Sequence, residues 1–220
     1  AIKEASSLFN KISSSVIVTS VAEAELAKLF ANSWRYLQFA IANQFYMICE
    51  DSGVDYDRVR AAMVEGYERA SQLPSAGFSA GPCLLKDTMQ ISSFYHNGFL
   101  LGHSAMMINE GLPNFIVNKL KTKKELNKRK VGILGMAFKA NVDDIRDSLS
   151  FKLSKILKFH GAEVFCSDEY VSNPEFVSKE EIIKKCETLI IGVPHSPYKN
   201  LEIPDHIEVI DIWNFLTNKN

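Results

Sequence analysis

A cysteine set among glycines and a proline carries the sharpest chemistry in this sequence. In SAGFSAGPCLLKDTMQ, Gly77 and Gly81 let the backbone approach a ligand closely, Pro82 stiffens the path, and Cys83 stands where a helix begins. The positive end of a helix dipole stabilises anions, thiolates among them. Asp87 follows four residues later, so on a helix it shares a face with Cys83, one turn away and roughly 6 Å along the axis. A thiolate beside a carboxylate that can orient or deprotonate water suits thioester chemistry. Lys28 and Asn32 are also four apart, and on a helix they share a face with Arg35. A cation and an amide donor side by side can stabilise an oxyanion. Lys139 and Arg146 lie in GMAFKANVDDIRDS, directly after the strand-like VGILG, where both can reach phosphate or ribose oxygens of a nucleotide. Each residue type also has an ordinary use, as a buried thiol or a solvated cation, so the surrounding elements must decide.

The first half reads as helical. Val16–Thr19 is a short β-like run, and Ser20 with Glu23 makes a capping box for a helix from Val21 to about Glu50, with Gly53 available to end it. Phe30, Trp34, Leu37, Ile41, Phe45 and Ile48 recur on this helix at three- and four-residue steps. Such a helix is usually buried in a bundle or a subunit interface. A second helix fits Tyr56–Glu68 with Asp55 as cap, another Leu84–His96, and a further one begins near Gly102, where Pro113 kinks or divides it. The segment KLKTKKELNKRK (Lys119–Lys130) reads as a helix end and a linker with a solvated charged face.

At Val131 the rhythm changes. VGILG, EVFCSD, TLIIGV and IEVIDI read as strands, with helices over Ser148–His160 and Glu180–Lys185 between them. This alternation predicts a parallel, doubly wound sheet, whose ligands bind beyond the carboxyl ends of the strands. The usual GxGxxG turn is degraded: Gly132 and Gly135 are followed by Phe138. The fold class is therefore α/β, an all-helical domain followed by a Rossmann-like doubly wound parallel-sheet domain.

The bulk numbers exclude rather than identify. With 25 basic and 26 acidic residues and a net charge of −1, nothing points to nucleic acid or to an anionic membrane. No run approaches the ~20 apolar residues of a spanning helix, and the opening AIKEASSLFN lacks a signal-peptide pattern. The four cysteines form no CxxC pair or zinc-spaced cluster, so free thiols in a reducing cytoplasm are expected and no metal is.

Three stretches in order, AEAELAKLFANSW, GFSAGPCLLKDT and GILGMAFKANVDDIRDS, resemble the UDP-glucose/GDP-mannose dehydrogenase family, and the wording around the cysteine is most similar to bacterial members acting on UDP-N-acetyl-hexosamines. The resemblance implies an NAD-dependent oxidoreductase of polysaccharide biosynthesis that takes the C6 alcohol of a UDP-sugar to a carboxylate in two hydride transfers. It implies three parts here: 1–20 as the tail of an N-terminal NAD-binding domain, 21–125 as the central dimerisation and catalytic domain, and 126–220 as the UDP-sugar-binding domain. It assigns Cys83 as the nucleophile, Lys28 and Asn32 as oxyanion stabilisers, and Asp87 to water activation or cysteine geometry. Lys139, Arg69, Gly77, Phe78 and Gly81 fall to substrate binding, Arg69 reaching the substrate of a neighbouring subunit, and Arg146 to the cofactor phosphates. The NAD site itself is expected mainly outside this stretch, and a homodimer through the long helix follows. Many members have GGxCxPKD; this chain has Ala80 for a glycine and Leu85 for the proline, which touches sugar preference more than chemistry. Two other readings remain: a dimerisation and nucleotide-sugar-binding module without turnover of its own, and a related two-domain hydroxy-acid dehydrogenase that needs no cysteine.

Overall fold

The structure, a computed structural model, describes residues 1–79 and 81–216. It opens with a short helix, α1 (Ile2–Phe9), none of whose residues is buried. Val16–Thr19 forms no strand: it pairs with no strand of the sheet and is left largely exposed. The long helix α2 (Val21–Ser52) starts as its sequence dictates: the Ser20 hydroxyl accepts from the Glu23 N–H at 3.3 Å, and the Glu23 carboxylate accepts from the Ser20 N–H at 2.9 Å. Gly53, in the left-handed region, ends it. Its inner face, with Ser33, Tyr36, Ala40 and Asn43, packs against α4 (Leu84–Phe94) and α5 (Leu100–Lys123). The opposite stripe is exposed: Phe30 54%, Trp34 55%, Ile41 45% and Ile48 54%. Of the apolar series, Leu37 turns inward, against the cluster around Tyr36 and Ala105.

Three helix boundaries differ from expectation. α3 (Tyr56–Val64), capped by Asp55, stops short of Glu68 because the backbone leaves the helical region at Glu65 and Gly66, and Glu68–Ala70 forms a separate 3-10 turn. α4 ends at Phe94 because His96 and Asn97 take positive φ. α5 begins at Leu100 and passes unbroken through Pro113, whose ring is buried in the helix interior. The basic segment Lys119–Lys130, which closes α5 and runs beyond it, is more than a helix end and a solvated linker. Lys119 pairs with Asp51 at 2.9 Å, Lys123 with Glu208 at 2.9 Å, and Lys124 with Glu187 at 2.6 Å. The buried Arg129 pairs with Glu208 at 2.5 Å. The segment thus ties the end of α2 to the start of the sheet.

The sheet has the order β2-β1-β3-β4 and all its pairings are parallel. Its strands are β1 (Lys130–Leu134), β2 (Glu163–Ser167), β3 (Thr188–Ile191) and β4 (Glu208–Ile210). α6 (Leu149–Phe159), capped by Ser148, packs on α5 and β2, and α7 (Lys179–Lys185) on β1 and β2. Apolar clusters cover both faces. On one, Leu112, Ile116 and Leu120 of α5 meet Ile133, Leu153 and Leu157. On the other, Leu134, Ile191 and Ile182 meet Tyr198. Helix α5 therefore belongs to both halves, and one continuous core fixes it, with α6, over one face of the sheet. Among the described residues no helix is long and apolar enough to cross a membrane, and no group of His, Cys, Asp and Glu could hold a metal ion.

Candidate active site

The loop leading to the cysteine is held from both halves of the molecule. Asn43 of α2 grips Gly77 twice, donating to its carbonyl at 3.0 Å and accepting from its N–H at 2.9 Å. The same amide donates to Asn109 of α5 at 2.9 Å, and Asn109 donates to the Tyr36 carbonyl at 3.0 Å. Buried amides satisfied in this way specify a single loop path. From the other side, a Cβ on Gly77 would lie 2.3 Å from the Trp213 ring, and one on Gly81 would lie 2.8 Å from the Phe138 ring. Both glycines have positive φ, 152° and 113°, so no other residue type fits either place without strain. Phe78 is buried in the shared core with α5, so its side chain is committed to packing rather than presented to a ligand. Ala80 lies outside the described residues.

Cys83 caps the N-terminus of α4 and accepts from the Asp87 N–H at 2.9 Å through its carbonyl. It is exposed, whereas Cys49 and Cys186 are buried and Cys166 is partly so. Burial pushes the Cys166 thiol up, and that of Cys186 to about 11. One turn along α4, the Asp87 carboxylate is fully buried and collects donors from α2: Lys28 Nζ and Asn32 Nδ2 each lie 2.5 Å from Oδ2. Lys86 adds an ion pair at 3.1 Å. Burial alone would raise the Asp87 pKa, but the hydrogen bonds from Lys28, Asn32 and Lys86 outweigh it and hold the carboxyl at about 2. An acid that strong is a poor base toward water near neutrality. The arrangement instead makes Asp87 an anchor for Lys28 and Asn32. The Lys28 ammonium has three N–H donors, and its side chain is 57% exposed, so donors remain for a ligand.

The loop after β1 carries the two cations expected to face a nucleotide, Lys139 and Arg146. Lys139 Nζ sits 5.4 Å from the centre of the Phe138 ring, the ring that presses on Gly81. Arg146 is clamped by Asp144, its Nε 3.0 and 3.1 Å from the two oxygens and its Nη2 2.7 Å from one, and it lies within electrostatic range of the Cys83 sulfur. Arg69 is not brought to this place. It stands exposed on the 3-10 turn beside a groove of about 430 Å³ with Trp34, Gln38, Met63 and Pro74.

In the turn after β1 the loop amides are already partnered within the protein. The N–H groups of Met136 and Ala137, which would face a pyrophosphate there, both donate to the Asp168 carboxylate, at 2.6 and 2.9 Å. Asp168 also receives His195 at 3.0 Å. Sequence reasoning missed Asp168 and His195, and with them Asn43, Asn109 and Asn141. The amide of Asn43 in the apolar run AIANQFYMI was one available signal, since a polar group inside a buried helix needs a partner.

Residues 22–110 match the central domain of the UDP-glucose/GDP-mannose dehydrogenase family, and residues 132–218 match that family's UDP binding domain. The chain is 30% identical over 201 residues to the UDP-N-acetyl-D-mannosamine dehydrogenase of Methanocaldococcus jannaschii, covering 88% of this chain and 45% of that protein. It is 25% identical over 202 residues to the Escherichia coli K12 protein of the same name, covering 83% of this chain and 48% of that one. Among solved structures, the UDP-D-ManNAc dehydrogenase of Pyrococcus horikoshii superposes with a TM-score of 0.81 at 25% identity, covering 91% of this chain and 50% of its own. A UDP-glucose dehydrogenase from Pyrobaculum islandicum gives 0.80 at 26%, covering 95% and 52%. The chain thus spans about half the length of the relatives it matches. With two domain models of one family matched in order, and the α/β fold shared with its solved members, the chain belongs to the UDP-glucose/GDP-mannose dehydrogenase family.

Proposed function

We propose that this chain forms the substrate side of an NAD-dependent nucleotide-sugar 6-dehydrogenase, in which Cys83 holds the sugar covalently between two oxidations. The names of the relatives favour a UDP-N-acetylhexosamine as substrate. Bound NAD supplies the hydride acceptor; the described residues make no cradle for it beyond Arg146, so the steps assigned here are those at the sulfur. The Cys83 thiolate adds to the C6 aldehyde, a C–S bond forms, and the carbonyl oxygen becomes an oxyanion that Lys28 and Asn32 meet with N–H donors. Loss of a hydride from C6 leaves an acyl thioester. Water then adds to C6, the C–S bond breaks, and the thiolate leaves as the carboxylate forms, with two protons released to solvent. Asp87 keeps Lys28 and Asn32 aimed, and Lys139 faces the nucleotide sugar with the loop of Gly77, Phe78 and Gly81. Arg69 serves the site of a second copy across an α2-mediated homodimer in the cytoplasm.

One observation supports this reading above the others: the exposed Cys83 begins the same helix whose next turn gathers Lys28 and Asn32 on a buried carboxylate. The test joins the chain to a dinucleotide-binding domain and assays a panel of UDP- and GDP-sugars. Two NADH per sugar are expected, with no acid formed by Cys83→Ser; normal acid production by that variant would end the proposal. A second reading, a dimerising and nucleotide-sugar-binding module without turnover of its own, draws on the occupied turn at Met136 and Ala137. NAD-dependent turnover by the 220-residue chain alone would refute it.

A further inference from the structure

We propose that Asp168 and His195 are positioning residues that hold the turn carrying Phe138 and Lys139 in register with the cysteine loop. The proposal rests on the roles given above to Cys83 and Lys139. Three strand ends meet at this point. Asp168 follows β2, His195 follows β3, and the turn 136–141 follows β1. One oxygen of Asp168 accepts from Met136 N–H at 2.6 Å, Ala137 N–H at 2.9 Å and His195 Nε2 at 3.0 Å, while the other accepts from Tyr170 and Val171 N–H at 2.8 and 3.1 Å. At the far end of the turn, the Asn141 N–H donates to His195 Nδ1 at 2.9 Å. A nitrogen that accepts an amide N–H carries no proton, so the proton sits on Nε2 and points at Asp168. One neutral histidine and one carboxylate thus grip the turn at both ends, and the Asn141 side chain adds bonds to Ser196 and Tyr170.

Both side chains of the pair are fully buried. Apolar packing would stabilise a loop at least as well as a buried ionisable pair. What such a pair supplies instead is direction, because each hydrogen bond fixes an angle as well as a distance. The residues suspended between the grips are Phe138, Lys139 and Ala140. The Phe138 ring presses on Gly81, two residues before the nucleophile, and Lys139 stands over that ring. The clasp therefore sets where the nucleotide-facing cation stands relative to the sulfur.

The test uses the 220-residue protein, with UDP as the calorimetric probe, thermal midpoints as the control for folding, and the rate of Cys83 alkylation by iodoacetamide as a second readout. His195→Ala is expected to weaken UDP binding about tenfold or more, as a misplaced contact group does. His195→Asn, whose amide oxygen can replace Nδ1 as the acceptor for Asn141, is expected to restore most of the affinity. His195→Gln, which reaches only the Nε2 place, is expected not to restore it even at a matched thermal midpoint. If His195→Ala fails to fold, the Asn and Gln variants decide between themselves. Equal UDP affinity in the two, or in parent and Ala variant, overturns the proposal and leaves the clasp with a stabilising role only. If the parent protein itself binds no UDP, the nucleotide-sugar reading falls, and the clasp is then judged by alkylation. Faster Cys83 alkylation in the Ala and Gln variants, but not in Asn, supports it, and rates unchanged from the parent overturn it.

Discussion

At the scale of single residues, the proposed chemistry depends on the carboxylate of Asp87, which is buried and held ionised by its donors. Asp87→Asn keeps the shape but removes the charge that holds Lys28. In an active enzyme we expect kcat to fall by about 10²-fold, the size of losing an aligned oxyanion donor, with little change in KM; steady-state kinetics on the nucleotide sugar check it. An unchanged kcat would show that Lys28 needs no anchor. Asp168 carries a pH signature. Its folded carboxyl is held at about 2: burial opposes this, but His195 and the loop amides outweigh it. A depressed folded pKa contributes stability that is fully present above the ordinary carboxylate range, near 4, and is lost as pH falls toward 2. Urea midpoints measured between pH 5 and pH 2 should fall for the parent and fall less for Asp168→Asn. The spacing of Cys83 to Asp87 and of Lys28 to Asn32 was legible because each pair lies on one helix, where four residues make one turn. That the two pairs meet followed from the family resemblance but not from their spacing, and the Asp168–His195–Asn141 clasp followed from neither, since both depend on chain segments that only packing brings together.

At the scale of elements, α2 has one face in the core and one in solvent. Its exposed stripe of Phe30, Trp34, Ile41 and Ile48 is the surface on which the proposed homodimer would form, each such side chain contributing roughly 1.5–3 kcal/mol when buried. Trp34→Glu should convert a dimer to a monomer in multi-angle light scattering, and a monomeric parent would remove the dimer from this account. The start of α2 was readable from the Ser20 and Glu23 capping signature, and Ser20→Ala should lower stability by about 1 kcal/mol in urea unfolding. The strand positions were equally legible, because parallel strands buried on both faces read as short apolar runs. The end of α3 was marked by Gly66, a residue that stops helices, and was placed too late, whereas the positive φ that ends α4 falls on His96 and Asn97, which signal a stop less strongly than glycine.

At the scale of the whole molecule, the helical half and the sheet half are locked by a shared helix and by the ion pairs of Lys123 with Glu208 and Lys124 with Glu187. Arg129 is enclosed beside Glu208, and Glu208→Ala would leave that cation buried without its partner. A loss of roughly 3–5 kcal/mol is expected, visible as a lower urea midpoint; a change under about 1 kcal/mol would mean that solvent reaches the guanidinium. This locking gives the cysteine loop two walls, Trp213 and Phe138 from one half and Asn43 from the other. No local pattern announced that closure, although the order of helical and α/β segments did announce the two halves. The most direct test of the central claim needs no oxidation step. A UDP-sugar carrying an aldehyde at C6 is incubated with this chain, and alkylation of Cys83 by iodoacetamide is followed by mass spectrometry. If the sulfur captures the aldehyde, Cys83 is protected saturably and beyond the protection given by UDP alone. Alkylation of Cys83 at the same rate with and without saturating aldehyde would contradict it.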